Sequence, residues 1–241
     1  MPRMDFEYYW ITEPIYGIVY GIKEVLADAD AGGIDYVVLI PGNNVQPDNR
    51  GLAEAIKGQP RLVGCCQINP QFGQAAVDEL ETAITKWGMR SLKLMAMSCN
   101  YDIAGQTPRK VLDKAYELKI PVNIHSSPHP GCRPWEIAAV AARYPKMSII
   151  MDHMGYRDCV NQAFDVAKTY RNVYLACNTV AEPLTIKEAV LQVGADRVVF
   201  GSNGPGVFVD LAVEAILRLK LGREAEELVL GGNLARVYGI E

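Results

Sequence analysis

The sequence predicts a single (β/α)8 barrel, and three observations lead there. Eight short apolar runs recur along the 241 residues, each followed by helix-patterned or loop sequence. The runs are apolar on both faces, as strands of a helix-wrapped parallel sheet are. Polar and titratable residues collect at the C-terminal ends of the runs, where the side chains of a parallel barrel converge on one mouth. Barrels of this kind take about 250 residues. A doubly wound open sheet would want a Gly-rich phosphate turn after an early strand, and the chain has no G-x-G-x-x-G. No linker or low-complexity segment interrupts residues 1–241, which read as one domain.

The elements follow in order. Met4–Phe6 is a short first strand, followed by an irregular aromatic stretch, Tyr8-Tyr9-Trp10. Ile22–Ala31 carries apolar residues at helical spacing and stops at Gly32-Gly33. Tyr36–Ile40 is a buried-type strand closed by Pro41-Gly42. Leu52–Lys57 is a short helix, Leu62–Gln67 a strand, and Gln74–Lys86 a helix with Ala76, Leu80, Ala83 and Ile84 on one face. Arg90–Met95 is strand-like. A polar loop, Ser98–Gln106, leads to a helix opened by Pro108 and ending at Leu118. The second half pairs strands Pro121–His125, Ser148–Asp152, Val173–Ala176 and Val198–Gly201 with helices Pro134–Arg143, Val160–Lys168, Leu184–Gln192 and Asp210–Leu219. Two helical pieces, Glu224–Leu230 and Asn233–Tyr238, close the chain.

Composition excludes several classes of function. Hydrophobic content of 49% with 22% charged residues is ordinary for a globular protein. A net charge of −4 without a Lys/Arg stripe argues against a nucleic-acid surface. No apolar run approaches the ~20 residues of a membrane helix, and Met1–Asp5 lacks a secretory apolar stretch. The six cysteines are scattered, with no C-x-x-C, and read as reduced thiols of a cytoplasmic protein. The expected partner is a small-molecule substrate; a homo-oligomer is compatible with the sequence.

Two strand ends hold the candidate chemistry. Residues 121–130 read PVNIHSSPHP, and residues 147–155 read MSIIMDHMG. All three histidines of the chain fall in these stretches, as His125, His129 and His153. Each alone is as well explained by a buried imidazole satisfied by backbone groups. His125 and His153 together, at the ends of adjacent strands, point to a shared site. The other strand ends add Glu7 and Tyr9, Asn43 and Asn44, Gln67 and Asn69, Lys93, Asn123, Asn178, and Ser202 and Asn203.

These stretches resemble a known family. PVNIHSS, IIMDHMG, RNVYLAC, ADRVVFGSNGP and LVLGGNLARVYGI, with AGGIDYVVLIPGNN and GMRSLKLM before them, are similar to the amidohydrolase-related (amidohydrolase 2) branch of the metal-dependent amidohydrolase superfamily. That branch includes lactone hydrolases and aromatic-acid decarboxylases of the aminocarboxymuconate-semialdehyde decarboxylase type. The resemblance covers most of residues 22–241 and implies the same barrel. It also implies a metal site, from which this chain departs. Glu7 and Tyr9 stand where the family has the two histidines of D-x-H-x-H, and Asn203 stands where it has a strand-eight aspartate. His125 and His153 match the family histidines of strands five and six. Catalytic zinc wants about three His, Cys, Asp or Glu ligands, so no tightly held cofactor is expected. If zinc or manganese binds, the expected ligands are Glu7, His125 and His153.

Without a metal, His125 and His153 are the expected general acid and base. Lys93 and Arg133 are candidates to hold a substrate carboxylate. Asn123 and Asn203 are candidate oxyanion donors, and His129 is a further substrate contact. Cys132 offers another route: beside Arg133 and before a helix, its thiol pKa is expected to fall, with His129 as base. The leading function is hydrolysis of a small carboxylated or cyclic substrate of lactone or amide type. The alternatives are decarboxylation on the same site and a non-catalytic relative that binds a ligand or partner. The aromatics Tyr8, Tyr9, Trp10, Tyr16 and Tyr101 suggest a partly apolar, planar ligand, or equally a surface packed against the barrel or another subunit.

Overall fold

A computed structural model describes residues 1–15, 18–42, 45–180 and 182–240. Nine strands form one sheet among the described residues. They are β1 (Met4–Ile15), β2 (Ile18–Tyr20), β3 (Tyr36–Pro41), β4 (Leu62–Gln67), β5 (Ser91–Leu94), β6 (Val122–Ile124), β7 (Ile149–Met151), β8 (Val173–Ala176) and β9 (Val198–Val199). From β1 through β3 to β9 each strand pairs in parallel with the next. The ends then meet. Phe6 N donates to Phe200 O at 3.1 Å, Asn203 N to Glu7 O at 3.0 Å and Tyr9 N to Gly204 O at 2.8 Å. These bonds close the eight parallel strands into the expected barrel. The ring of Tyr8 packs so tightly on the closure that a Cβ at Gly204 would lie 2.3 Å from it.

Helices wrap the sheet: α1 (Ile22–Gly32), α2 (Asn49–Ala55), α3 (Gln74–Thr85), α4 (Arg109–Glu117), α5 (Pro134–Arg143), α6 (Tyr156–Thr169), α7 (Pro183–Val193), α8 (Val209–Arg218), α9 (Arg223–Glu227) and α10 (Asn233–Tyr238). Local sequence sets their ends. Gly33 takes the left-handed conformation that terminates α1. Asp48 caps Gly51 N at 2.8 Å, so α2 starts three residues before the apolar pattern does. Pro134 opens α5, where the Glu136 carboxylate reaches back to Arg133 N at 2.7 Å.

Alternation along the strands sorts two apolar layers. Val37, Leu39, Ile149 and Met151 face the helices, against residues such as Leu80, Val111, Ile137 and Phe164. Met4, Phe6, Val38, Ile40, Cys65, Ile150 and Val199 fill the barrel, whose floor is sealed by Leu234 and Tyr238 of α10. Polar interior residues gather toward the opposite, C-terminal end, with Ser91 at the floor satisfied by Tyr238 OH at 2.9 Å.

One expectation changes. The aromatic stretch after Phe6 is not irregular. β1 runs on through Tyr8, Tyr9 and Trp10, with a register shift against β3 between Asp5 and Tyr8. Its far end pairs antiparallel with β2, a strand of three residues. No helix among the described residues is long and apolar enough to cross a membrane.

Candidate active site

The mouth is built on a buried three-member ion cluster. Lys93 of β5, Glu7 of β1 and Asp152, just past β7, are each 0% exposed. Lys93 Nζ lies 3.1 Å from Glu7 Oε1 and pairs closely with Asp152 Oδ2. Glu7 collects two more donors, Tyr9 OH to Oε1 at 2.5 Å and Asn178 Nδ2 to Oε2 at 2.8 Å. One ammonium faces two buried carboxylates, and burial and their mutual repulsion push the two pKa values apart. The donor count decides which falls and which rises. Burial pushes Glu7 upward, but the Lys93 charge and its hydrogen bonds outweigh that and hold it down at about 2. Burial, then the charge of Glu7, raises Asp152 well above the ordinary carboxylate range. Asp152 Oδ1 is buried with no hydrogen-bond partner.

The two histidines stand beside this cluster. His125 follows β6, and its Nδ1 lies 3.2 Å from His153 Nε2. His153 Nδ1 faces the carbonyl of Asn178 at 3.2 Å and Thr179 Oγ1 at 2.7 Å. With the Nδ1 proton of His153 on that carbonyl, its Nε2 accepts from His125 Nδ1, and His125 Nε2 is left with a lone pair. That nitrogen is buried and has no partner. Burial holds both imidazoles neutral, His125 down at about 3 and His153 at about 4. The site therefore holds two buried, unpartnered atoms: Asp152 Oδ1, on a carboxyl whose pKa is raised, and the acceptor His125 Nε2.

The chain after Asp152 is strained. His153, Met154, Gly155 and Tyr156 all take positive φ, at 59°, 49°, 77° and 54°. Non-glycine residues there cost of order 1–3 kcal/mol each. The turn is held by side chains from neighbouring elements. Asn178 Oδ1 accepts from His153 N at 3.0 Å. Ser126 Oγ accepts from Gly155 N at 2.8 Å and donates to Asp152 O. Asn178 thus ties Glu7 and His153 into one unit. A cleft of about 720 Å³ opens beside it, lined by His153, Tyr156, Arg157, Thr179, Val180 and Glu182 among others. The Tyr156 ring lies 4.6 Å from that of His153.

The structure brings some expected residues together and separates others. His125 and His153 meet. Lys93 is central but enclosed, committed to two carboxylates and not open to a substrate. Asn123 is in a deeper interior layer, its Nδ2 3.4 Å from Cys65 Sγ. His129 and Arg133 are exposed on the outer lip; His129 Nδ1 lies 2.8 Å from Pro130 O, and Arg133 Nε donates to Pro128 O at 3.1 Å. Asn203 is half-buried at the closure with φ 64°. Asn43, Asn44 and Tyr16 lie outside the described residues. The expectation of an activated Cys132 is corrected. Its thiol is buried 3.0 Å from Ser127 Oγ, and burial pushes its pKa up. Arg133 and His129 are turned to carbonyls instead. Sequence reasoning gave no role to Asp152, Asn178 or Thr179, although all three sit at strand ends.

A family model described as Amidohydrolase matches residues 18–240. Among curated proteins none matches the sequence. Solved structures share the fold. The 5-carboxyvanillate decarboxylase of Sphingomonas paucimobilis superposes with a TM-score of 0.80 at 16% identity, covering 100% of this chain and 99% of that one. An uncharacterized TIM-barrel protein of Bordetella bronchiseptica gives 0.81 at 18%, covering 100% and 99%. A dihydroxybenzoic acid decarboxylase of Polaromonas, solved with manganese and the inhibitor 2-nitroresorcinol, gives 0.77 at 17%, covering 99% and 97%.

A metal is therefore a natural expectation. His125, Asp152 and His153 are the group among the described residues that could hold one, their ligand atoms lying within 4.8 Å of one another. As they stand, the donors do not fit a tightly held ion. His153 has both ring nitrogens in hydrogen bonds. His125 Nδ1 and Asp152 Oδ2 are also engaged. Two open ligand atoms remain, His125 Nε2 and Asp152 Oδ1, where a catalytic zinc site wants about three. Glu7 has both oxygens taken, Tyr9 is held as a neutral phenol, its pKa raised by burial and by Glu7, and Asn203 brings a neutral amide.

Proposed function

The chain belongs to the amidohydrolase family, and on that premise we propose that it is an enzyme that removes the carboxyl group from a small planar carboxylic acid, with Asp152 as proton donor. The observation that carries this reading is the buried Asp152 carboxyl, whose Oδ1 has no partner and whose pKa burial and the charge of Glu7 raise. The substrate enters from the cleft at His153 and lies against the Tyr156 and His153 rings. Its carboxylate loses hydration in the closed mouth, which favours conversion of the anion to neutral carbon dioxide. The bond between the ring carbon and the carboxyl breaks, and the electron pair stays on the carbon. The proton of Asp152 passes to that carbon. Lys93 stabilises the carboxylate left on Asp152, which takes a new proton from water after product leaves. His125 Nε2 accepts a hydrogen bond from the substrate and orients it.

Hydrolysis is the second reading, favoured by the same open lone pair on His125. There Nε2 takes a proton from water as it attacks a lactone or amide carbonyl, and His153 passes the proton onward. The two readings separate in one assay. Carbon dioxide release is measured from a panel of hydroxylated benzoic acids, and acid release from a panel of lactones. The expected result is carbon dioxide, with Asp152→Asn slowing its release by about 100-fold or more. Lactone opening without carbon dioxide, or an Asp152→Asn protein at full rate, overturns the decarboxylase reading.

A further inference from the structure

We infer that the cleft between α2 and the turn after α3, on the barrel face opposite the mouth, is a binding site for a small organic phosphate that carries a flat ring, of the nucleoside diphosphate class. The inference stands whichever reaction the mouth carries.

α2 ends after 7 residues where α3 runs for 12. A cleft of about 380 Å³ opens beside the end of α3, over the start of β4. Strand starts mark the face away from a barrel's catalytic mouth, and the volume is that of a pocket for one small ligand. The buried lining is apolar, with Leu62 and Val63 of β4 and Ile56 beside them. Trp87 is half-buried; it packs against the helix-side core and also lines the cleft. The rim is cationic. Arg50, Lys57, Lys86 and Arg90 line it against one carboxylate, Glu54, whose Oε1 is already held by Arg50 Nε at 3.0 Å. Among the described residues no carboxylate pairs with Lys57, Lys86 or Arg90. Arg90 is held in place, since its Nη2 donates to Tyr238 O of the helix that seals the floor. The chain as a whole carries a net charge of −4, so this gathering of cations runs against the average. Like charges left together repel, and a cleft lined by one sign draws the opposite ion. Ammonium and guanidinium groups are phosphate-binding groups, and an indole offers a flat surface on which a ring stacks. A single cation would satisfy a simple acid. Several cations without a counter-ion, beside an aromatic wall, fit a diphosphate joined to a planar ring.

The test titrates the full chain with ADP and with pyrophosphate at low salt, following heat of binding and tryptophan fluorescence. The variants are Lys57→Gln with Lys86→Gln in one protein, and Trp87→Phe; none of these residues belongs to the mouth. The parent is expected to bind one equivalent of ADP, and to hold pyrophosphate about tenfold more weakly because it lacks the ring. The double lysine variant is expected to weaken ADP by about tenfold or more. ADP is expected to quench the parent's fluorescence. The chain has three tryptophans, and Trp87→Phe is expected to keep the heat of binding while losing the quenching, which puts the ring at Trp87. Four results overturn the inference: no ADP bound at millimolar concentration, a double lysine variant that binds ADP as tightly as the parent, pyrophosphate held as tightly as ADP, or quenching that persists in Trp87→Phe.

Discussion

Asp152 and Glu7 differ in donors rather than in burial, and that difference assigns the proton. Glu7→Gln removes the charge that raises Asp152 while leaving the amide near Tyr9, Asn178 and Lys93. Carbon-13 NMR of aspartate-labelled protein is expected to show, besides Asp5 at about 6, one further carboxyl titrating well above the ordinary range. That signal is expected to vanish in Asp152→Asn and to shift to lower pH in Glu7→Gln. Lys93→Ala is expected to cost about 3–5 kcal/mol, the usual penalty for stripping one partner from a buried ion pair, read by urea unfolding. The sequence displayed the histidines because three residues of a rare type clustered at two strand ends. It did not display the ion cluster. Lys93 is 86 positions from Glu7 and 59 from Asp152, and only the register of five intervening parallel pairings brings them together. Asn178 was equally hidden: an amide after a strand reads as a loop cap until both of its ends are seen bonded.

At the scale of elements, the site depends on the left-handed turn at 153–156. Gly155 holds φ 77°, and a Cβ there would lie 3.1 Å from both Cys159 Cβ and Pro134 Cγ. Gly155→Ala is expected to destabilise the fold by roughly 1–3 kcal/mol and to displace His153 from His125. Thermal unfolding and the rate of the reaction check the two effects separately. Strand and helix positions were legible because each apolar run and each amphipathic repeat carries its own period. The continuation of β1 was not. Its residues pass from barrel wall to hairpin, so no single face of Tyr8–Ile11 is uniformly buried, and its partner β2 is too short to show any period.

For the whole molecule, barrel closure makes stability depend on pH. Asp5 is buried at the seam, where its carboxyl accepts from Ser202 N at 2.8 Å and from Ser202 Oγ at 2.5 Å. Burial outweighs those bonds and raises it from 3.8 to about 6. A raised folded pKa means the folded chain binds the proton more tightly than the unfolded one. The contribution of Asp5 is therefore complete below about pH 4 and is lost as pH rises through 6, at most about 3 kcal/mol. Glu7, lowered from 4.5 to about 2, works the other way, adding stability above pH 4.5 that is lost as pH falls toward 2. Between pH 4.5 and 7 Asp5 and the raised Asp152 lose stability as pH rises, while His125 and His153, lowered from 6.5 to about 3 and about 4, gain it. Urea unfolding at those two values is expected to show the change in the parent displaced toward lower stability at pH 7 relative to the change in Asp5→Asn. An unchanged slope would place the pH dependence elsewhere.

The mouth joins these scales: a seam closed by Asp5, a strained turn that presents His153, and a carboxyl that keeps its proton. In the proposed reaction this proton ends on carbon. The most direct measurement is the mass of the product formed in water enriched in both deuterium and heavy oxygen. The expected product is lighter by one carbon dioxide and carries one non-exchangeable deuterium and no heavy oxygen. A product that keeps every carbon and gains heavy oxygen would contradict it and make the mouth a hydrolase.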